Sequence, residues 1–149
     1  MRRNNCNGQT FNTMDHGPEP LFANINRLAK QNSYYRAALW TGDSLQMTLM
    51  SIPINGEIGK EMHPDVDQFI KIEEGCALVM IGEADSCFNH RQRVNRDYAV
   101  IIPAGTWHNI INIGTVPLKL YSIYAPPEHS HGTVHKTKAD AEKTENSEN

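Results

Sequence analysis

The chain of 149 residues has few cysteines, no long apolar run and little net charge. Each of these features marks a class of protein to which the chain is not expected to belong. It holds three cysteines, Cys6, Cys76 and Cys87, whose spacing matches neither a zinc motif nor a redox motif. Because an odd count gives no disulfide framework and suits a reducing compartment, we expect a cytoplasmic protein. Cys76 follows a glycine at the start of an apolar stretch and is interpreted as a small core residue.

Long apolar runs and a strong net charge are missing as well. No run approaches the roughly 18 residues of a membrane span, and no apolar signal core follows Met1. A net charge of −3 and a pI near 6.1 argue against a nucleic-acid surface. The one basic cluster, residues 90–96, lacks interleaved aromatic residues and is interpreted as a solvated loop. We therefore expect a small molecule as partner, with no nucleic acid and no membrane.

The chain does contain many short β-type runs within the length of one domain. Residues 1–19 are polar and predict a flexible arm, and a helix is predicted from Leu21 to Gln31. A single barrel domain is predicted at residues 20–126, and a polar tail at 127–149 that is disordered from residue 136 onwards. The β-type runs cover residues 34–40, 45–52, 60–63, 68–72, 77–81, 98–102, 107–111 and 118–124. Runs of this length and spacing predict an all-β sandwich or barrel.

Two of these runs carry residue types that bind metals. Glu61 and His63 are two positions apart, so on a strand both side chains point to the same face. A distant strand, entered through Pro103 and Gly105, carries His108. Two histidines and one carboxylate are a ligand set used for non-haem Fe(II), and the same donors suit Mn, Ni or Zn.

Three neighbouring positions are weighed beside that set. Gln68 can add a weak amide oxygen to the metal, or orient a substrate through hydrogen bonds. Trp107, next to His108, is a candidate substrate contact. Asp65 and Asp67 flank a turn and are interpreted as turn formers rather than ligands.

The same residues fall at the spacings of two sequence motifs of the cupin family. The first motif, G-x5-H-x-H-x3 or 4-E-x6-G, is matched by Glu61, His63, Gln68 and Gly75, with Gly56 one residue late. The second motif, G-x5-P-x-G-x2-H-x3-N, is matched by Pro103, Gly105, His108 and Asn112, with Asp97 in place of its glycine. The chain thus resembles a cupin, which implies a jelly-roll (double-stranded β-helix) barrel, here with a short N-terminal helix and polar tails. Glu61 stands for a histidine of the family's ligand set, and Gln68 for its glutamate.

The resemblance implies a metal-dependent enzyme that acts on a small polar molecule, of the isomerase or dioxygenase type, with a sugar-phosphate isomerase as one example. Glu61, His63, His108 and Gln68 would bind a divalent transition metal, and Gln68 and Trp107 would contact the substrate. A metal-free alternative uses Glu61 and His108 as base and acid in an isomerisation or epimerisation. A further alternative is a non-catalytic binder of a small ligand, with ordinary barrel-lining histidines paired with Glu61 and Gln68.

Two predictions concern the ends of the chain. His129, His131 and His135 follow the last predicted strand, and they either lie in solvent or fold back over a barrel mouth. The composition of the tail favours the solvated alternative. Because sheet edges need protection and an N-terminal arm can pair with a neighbour's edge, we also expect a homodimer.

Overall fold

The structure is a computed structural model that describes residues 14–147. Its strands form two antiparallel sheets that pack face to face, with one short helix near each end of the described chain. The order of elements is α1 (Ile25–Gln31), β1 (Arg36–Thr41), β2 (Gln46–Ile52), β3 (Asp67–Glu74), β4 (Ala77–Gly82), β5 (His90–Val94), β6 (Ala99–Ile102), β7 (Trp107–Asn112), β8 (Leu118–Ala125), β9 (Val134–His135) and α2 (Lys138–Ser147). The large sheet has the order β6-β3-β8-β2-β1-β9, and the small sheet has the order β5-β4-β7. The predicted all-β cupin fold is confirmed.

The inner face of the large sheet is apolar at one end and polar at the other. Alternation along each strand places two sets of opposed residues on that face. The apolar row consists of Met50, Leu120 and Ile72, and the polar row of Gln46, Tyr124 and Gln68. All six side chains are buried. The apolar row lies in the main hydrophobic core, so the polar row marks the end where chemistry can take place.

Helix α1 covers part of the outer face of the same sheet. It begins at Ile25, four residues later than predicted, because the side chain of Asn24 caps it by accepting a hydrogen bond from the Arg27 amide at 3.1 Å. Its buried Ala29 packs in a second apolar cluster with Leu39 and Leu49. The helix therefore supports the sheet from the side opposite the polar row.

Strand β5 corrects the prediction of a solvated loop at residues 90–96. It pairs with β4, for example Gln92 opposite Val79, and forms an edge of the small sheet. Four of its five residues are exposed, so its sequence has no apolar alternation to signal a strand. A polar edge of this kind discourages pairing with another chain.

The tail also differs from the predicted disorder. Strand β9 pairs with β1, and α2 follows with Ala141 buried. Thr137 and Asp140 form a reciprocal cap at the start of α2, since each backbone amide donates to the other side chain at 3.2 Å. Beyond residue 136 the tail is therefore mostly helical up to Ser147.

The N-terminal segment is held against the barrel from residue 15 onwards. The buried carboxylate of Asp15 accepts hydrogen bonds from the Thr41 hydroxyl at 2.5 Å and from the Gly132 amide at 3.0 Å. Residues 1–13 of the predicted arm lie outside the described residues, and the domain limits stay a prediction. Cys76 is half-buried rather than part of the core. No helix within residues 14–147 is long and apolar enough to cross a membrane.

Candidate metal centre

The segment that carries Glu61 runs beside β7 with a bulge. Glu57 pairs with Ile111 and Glu61 pairs with His108. Between the two pairs the chain advances four residues on the Glu61 segment but three on β7, so the segment has one extra residue. The extra residue falls at Gly59, whose positive φ of 99° favours glycine, and its amide donates to Asn109 Oδ1 at 2.9 Å. In place of the predicted strand at residues 60–63, this segment therefore has a single bridge.

That bridge brings the predicted ligands together. Glu61 and His108 exchange both backbone hydrogen bonds, at 3.0 and 2.9 Å, and directly opposed residues place their side chains on the same side. Glu61 Oε1 lies 3.2 Å from His108 Nε2 and 3.5 Å from His63 Nε2. One ligand atom from each of the three residues lies within 4.8 Å of the others, so the predicted grouping of Glu61, His63 and His108 is confirmed.

The outer nitrogen of each histidine is held by an acceptor. His108 Nδ1 donates to the carbonyl oxygen of Thr106 at 3.0 Å, and His63 Nδ1 lies 3.1 Å from Glu128 Oε1. With the proton on Nδ1, each neutral ring turns the lone pair of Nε2 towards the Glu61 carboxylate. Two lone pairs and a carboxylate repel one another unless a proton or a metal ion lies among them. The group could therefore hold a cation.

The charges of Glu61 and His63 follow from the same contacts. Burial alone would raise the pKa of Glu61, but hydrogen bonds from His108 and His63 hold that pKa well below its usual range. Burial alone would lower the pKa of His63, but contacts with the carboxylates of Glu128 and Glu61 raise it to about 9. At neutral pH without a metal, Glu61 is therefore an anion and His63 a cation.

The donor set fits a transition metal. Ligand atoms bound to one ion at roughly 2.0–2.2 Å lie about 3.0–3.5 Å apart, and Glu61 Oε1 lies within that range of each Nε2 atom. Each imidazole has a partner on its other nitrogen, as metal-binding histidines commonly do. The His63 and Glu61 side chains are 11% and 23% exposed, so the group can be reached from solvent.

Several motif residues build the loops around the centre. Gly105, with a φ of 79°, donates its amide to the carbonyl oxygen of His63 at 2.8 Å. Asp67 Oδ1 accepts from the Ala104 amide at 2.9 Å, so its carboxylate is used in this turn. The Asn112 amide nitrogen donates to three backbone carbonyl oxygens at 3.0–3.2 Å. These residues shape the site without supplying ligands.

Gln68 and Trp107 take different places. Gln68 is 2% exposed on the inner face, and its Nε2 donates to Ser122 Oγ at 3.2 Å. Its Oε1 is buried and has no hydrogen-bond partner within the described chain. Trp107 directly precedes His108 on β7, so its side chain leaves the strand on the opposite face. The roles of Gln68 as ligand and of both residues as substrate contacts stay predictions.

The tail contributes residues that sequence reasoning missed. Buried Gln46 accepts hydrogen bonds from the Glu128 and His129 amides at 3.2 and 2.9 Å and donates to the His129 carbonyl oxygen at 2.9 Å. This places the Glu128 carboxylate on His63 and the His129 ring edge-on to Tyr124, 5.2 Å away. No spacing rule connects Gln46 with residues more than 80 positions later, so only the tertiary structure shows the contact.

The other two tail histidines have partners of their own. His131 Nε2 donates to the carbonyl oxygen of Gly17 at 2.8 Å. His135 is 6% exposed, and its Nδ1 lies 3.4 Å from Arg36 Nη1. The favoured alternative of a solvated tail is wrong, because the segment folds back onto the barrel.

Comparison with known proteins agrees with the fold. The family model Cupin_2, described as a cupin domain, matches residues 48–124, which include every residue of the candidate centre. The chain belongs to the cupin family.

Its relatives include bacterial and viral proteins. It is 57% identical over 127 residues to the uncharacterized protein YrkC of Bacillus subtilis, a match that covers 85% of this chain and 68% of that protein. An uncharacterized protein of Acanthamoeba polyphaga mimivirus is 38% identical over 112 residues, covering 74% of this chain and 68% of the viral one. The crystal structure of BH2720 from Bacillus halodurans superposes with a TM-score of 0.86 at 55% identity and covers 87% of this chain and 98% of its own.

Proposed function

We propose that this chain is a metal-dependent cupin enzyme that acts on a small polar molecule, with Glu61, His63 and His108 holding one divalent transition ion. The observation that carries the proposal is that Nδ1 of each histidine already contacts an acceptor, Thr106 O or Glu128 Oε1. Both Nε2 atoms are therefore directed at one carboxylate. Fe, Mn, Ni and Zn all suit two imidazoles and a carboxylate. When bound, such an ion supplies a Lewis acid or a site for O2, which fits chemistry of the isomerase or dioxygenase type.

The chain's own residues have defined parts in this proposal. Thr106 and Glu128 fix the orientation of the two imidazoles, and Glu61 supplies the negative charge that the ion requires. Gln68 offers a buried amide oxygen that can serve as a further ligand or hold the substrate. Tyr124, buried against His63 with ring centroids 5.9 Å apart, excludes water from the inner side of the centre.

A second candidate is metal-free acid and base chemistry. It is favoured by the hydrogen bond between Glu61 Oε1 and His108 Nε2, since a carboxylate and an imidazole in contact can take up and return a proton. The same barrel without turnover would be a binding protein for a small polar ligand. Metal content separates the first candidate from both of these.

The test is elemental analysis of protein purified without chelators. We expect about one divalent ion per chain in the wild type and none in a His63→Ala/His108→Ala variant. A matched control, His90→Ala/His131→Ala, removes the same number of imidazoles from exposed positions and should keep the ion. Stoichiometric metal in His63→Ala/His108→Ala would refute the assignment, and wild-type protein that binds no metal would leave the acid and base candidate.

We also propose that the chain is a homodimer. Strand β6 is an edge of the large sheet, and Ile101 on it is 70% exposed. An exposed apolar residue on an edge strand favours pairing with a second copy. Light scattering at micromolar concentration should give a dimer mass for the wild type and for Ile54→Asp in a loop, and a monomer mass for Ile101→Asp. A monomeric wild type would contradict the proposal.

A further inference from the structure

Arg36, the first residue of β1, is a buried cation with few partners. It is 2% exposed, one of its Nη atoms lies 3.4 Å from His135 Nδ1, and its guanidinium stacks over the Tyr35 ring at 5.3 Å. Within the described chain, no carboxylate oxygen lies within 4.0 Å of it, and its Nε has no hydrogen-bond partner. Burying a charge without an ionic partner destabilises the folded state. The stability of the fold therefore does not explain why an arginine is buried at this position.

The guanidinium belongs to the same interior as the metal centre. Ala37 pairs with Leu49, so Arg36 aligns with the core residue Met50 on the inner face of the large sheet. From Arg36 and His135, a series of ring contacts leads through His129 and Tyr124 to His63, with centroid separations of 6.5, 5.2 and 5.9 Å. These ring contacts link the arginine to the candidate ligands within one interior.

Other buried polar atoms of this interior also lack partners. They are Gln68 Oε1 and His129 Nε2. Gln68 lies opposite Tyr124 on the inner face of the large sheet, and the His129 ring contacts Tyr124. Buried polar atoms in native proteins are nearly always paired, so several orphans on one inner surface point to a polar ligand.

We propose that Arg36 binds the oxyanion of a small carboxylate or phosphate substrate, whose other end reaches the group formed by Glu61, His63 and His108. A planar guanidinium is the side chain best suited to carboxylate and phosphate oxygens. The inference rests on the proposed metal site for the second contact. A divalent ion and Arg36 together carry more positive charge than Glu61 and Glu128 balance, which selects an anion over a neutral sugar or a cation.

The contact can be measured in the wild-type protein. Nitrogen-15 spectra report the Nε–H group of each arginine, and inorganic phosphate or acetate is titrated into metal-free and zinc-loaded protein against chloride at equal ionic strength. We expect the Arg36 signal to shift and saturate with phosphate, acetate or both, while the signal of exposed Arg91 follows ionic strength alone. The response to each anion identifies which oxyanion the site takes. An Arg36 signal that responds to neither anion would overturn the inference.

Variants give an independent measure. We expect Arg36→Gln to lose at least about tenfold in affinity for the responding anion by calorimetry, and Arg91→Gln to match the wild type. If Arg36→Gln fails to fold, Arg36→Lys keeps the charge without the planar fork, and it should bind more weakly than the wild type. Unchanged affinity in a folded Arg36 variant would contradict the inference.

The two proposals fail in different ways. If the wild-type protein cannot bind a metal but the Arg36 signal responds to an anion, the metal site is refuted and the anion contact stands. Stoichiometric metal on Glu61, His63 and His108 without an anion response would refute the anion contact alone.

Discussion

The motif histidines and the tail histidines differ in where their ring nitrogens point. His63 and His108 lie on segments that run side by side, and both direct Nε2 at Glu61. The tail carries three histidines within seven residues. The rings of His129 and His135 lie 6.5 Å apart, but the three histidines contact Tyr124, Gly17 and Arg36 rather than one shared acceptor. The number of histidines in a stretch of sequence therefore says little about metal binding, whereas convergence on one acceptor, set by strand pairing, forms a group that could hold an ion.

Removal of the motif pair should have the largest effect. Metal that binds only the folded chain stabilises it, by about 2.7 kcal/mol when its concentration is 100 times Kd. We expect zinc to raise the unfolding free energy of the wild type and of His90→Ala/His131→Ala by this amount, and to leave His63→Ala/His108→Ala unchanged. Denaturant titrations with and without zinc measure the difference. Equal stabilisation of all three proteins by zinc would show that zinc binding does not require His63 and His108.

The change of metal affinity with pH should be nearly as large as the effect of removing the two motif histidines. A metal must displace the proton of His63, whose pKa is raised to about 9 by Glu128 and Glu61 against the effect of burial. Affinity should therefore rise by about tenfold per pH unit from pH 6 and level off near pH 9, roughly a hundredfold between pH 6 and 8. Competition with a chelator of known affinity at each pH gives the curve. A flat profile above pH 7 would show that His63 carries no proton to displace.

Loss of the tail carboxylate should weaken the centre without abolishing it. Glu128 orients His63 through Nδ1, and removal of such an outer partner typically costs about 10 to 100-fold in metal affinity. We expect Glu128→Gln to show this loss and to level off at lower pH, because one carboxylate that raises the pKa of His63 is gone. Glu142→Gln, exposed on α2, is the control. If both variants bind metal like the wild type, the tail has no part in the centre.

Gln68 should give the smallest change. A carboxylate at this position would add negative charge beside Glu61, so we expect Gln68→Glu to bind a divalent ion about tenfold more tightly and an anionic ligand more weakly. Gln92→Glu on the exposed strand β5 adds the same charge away from the site. Calorimetric titration of metal-depleted protein compares the three. Equal metal affinities would mean that Gln68 points away from the ion.

The parts of the site that the sequence predicted are local or periodic. Glu61 and His63 share a face because they are two positions apart, and turn residues around Gly105 mark the entry to the strand of His108. Strand β5 was missed because its exposed polar residues do not alternate. The polar composition of the tail predicts disorder, whereas Thr137 and Asp140, three positions apart, form a helix cap.

What could not be predicted depends on contacts between distant positions. Gln46 holds the backbone of His129, 83 residues later, and Glu128 reaches His63 only as a result. Arg36 opens the first strand, where a charged residue is usually taken to be solvent-exposed, and its burial appears only once β9 pairs beside it.

The two motif histidines and Glu61 are proposed to hold one metal ion. Anomalous diffraction from crystals of protein purified without chelators, recorded at the absorption edge of the ion found by elemental analysis, locates that ion directly. We predict a single strong peak per chain within about 2.0–2.3 Å of Glu61, His63 Nε2 and His108 Nε2. A peak at His129, His131 or His135, with none at the motif pair, would contradict the account.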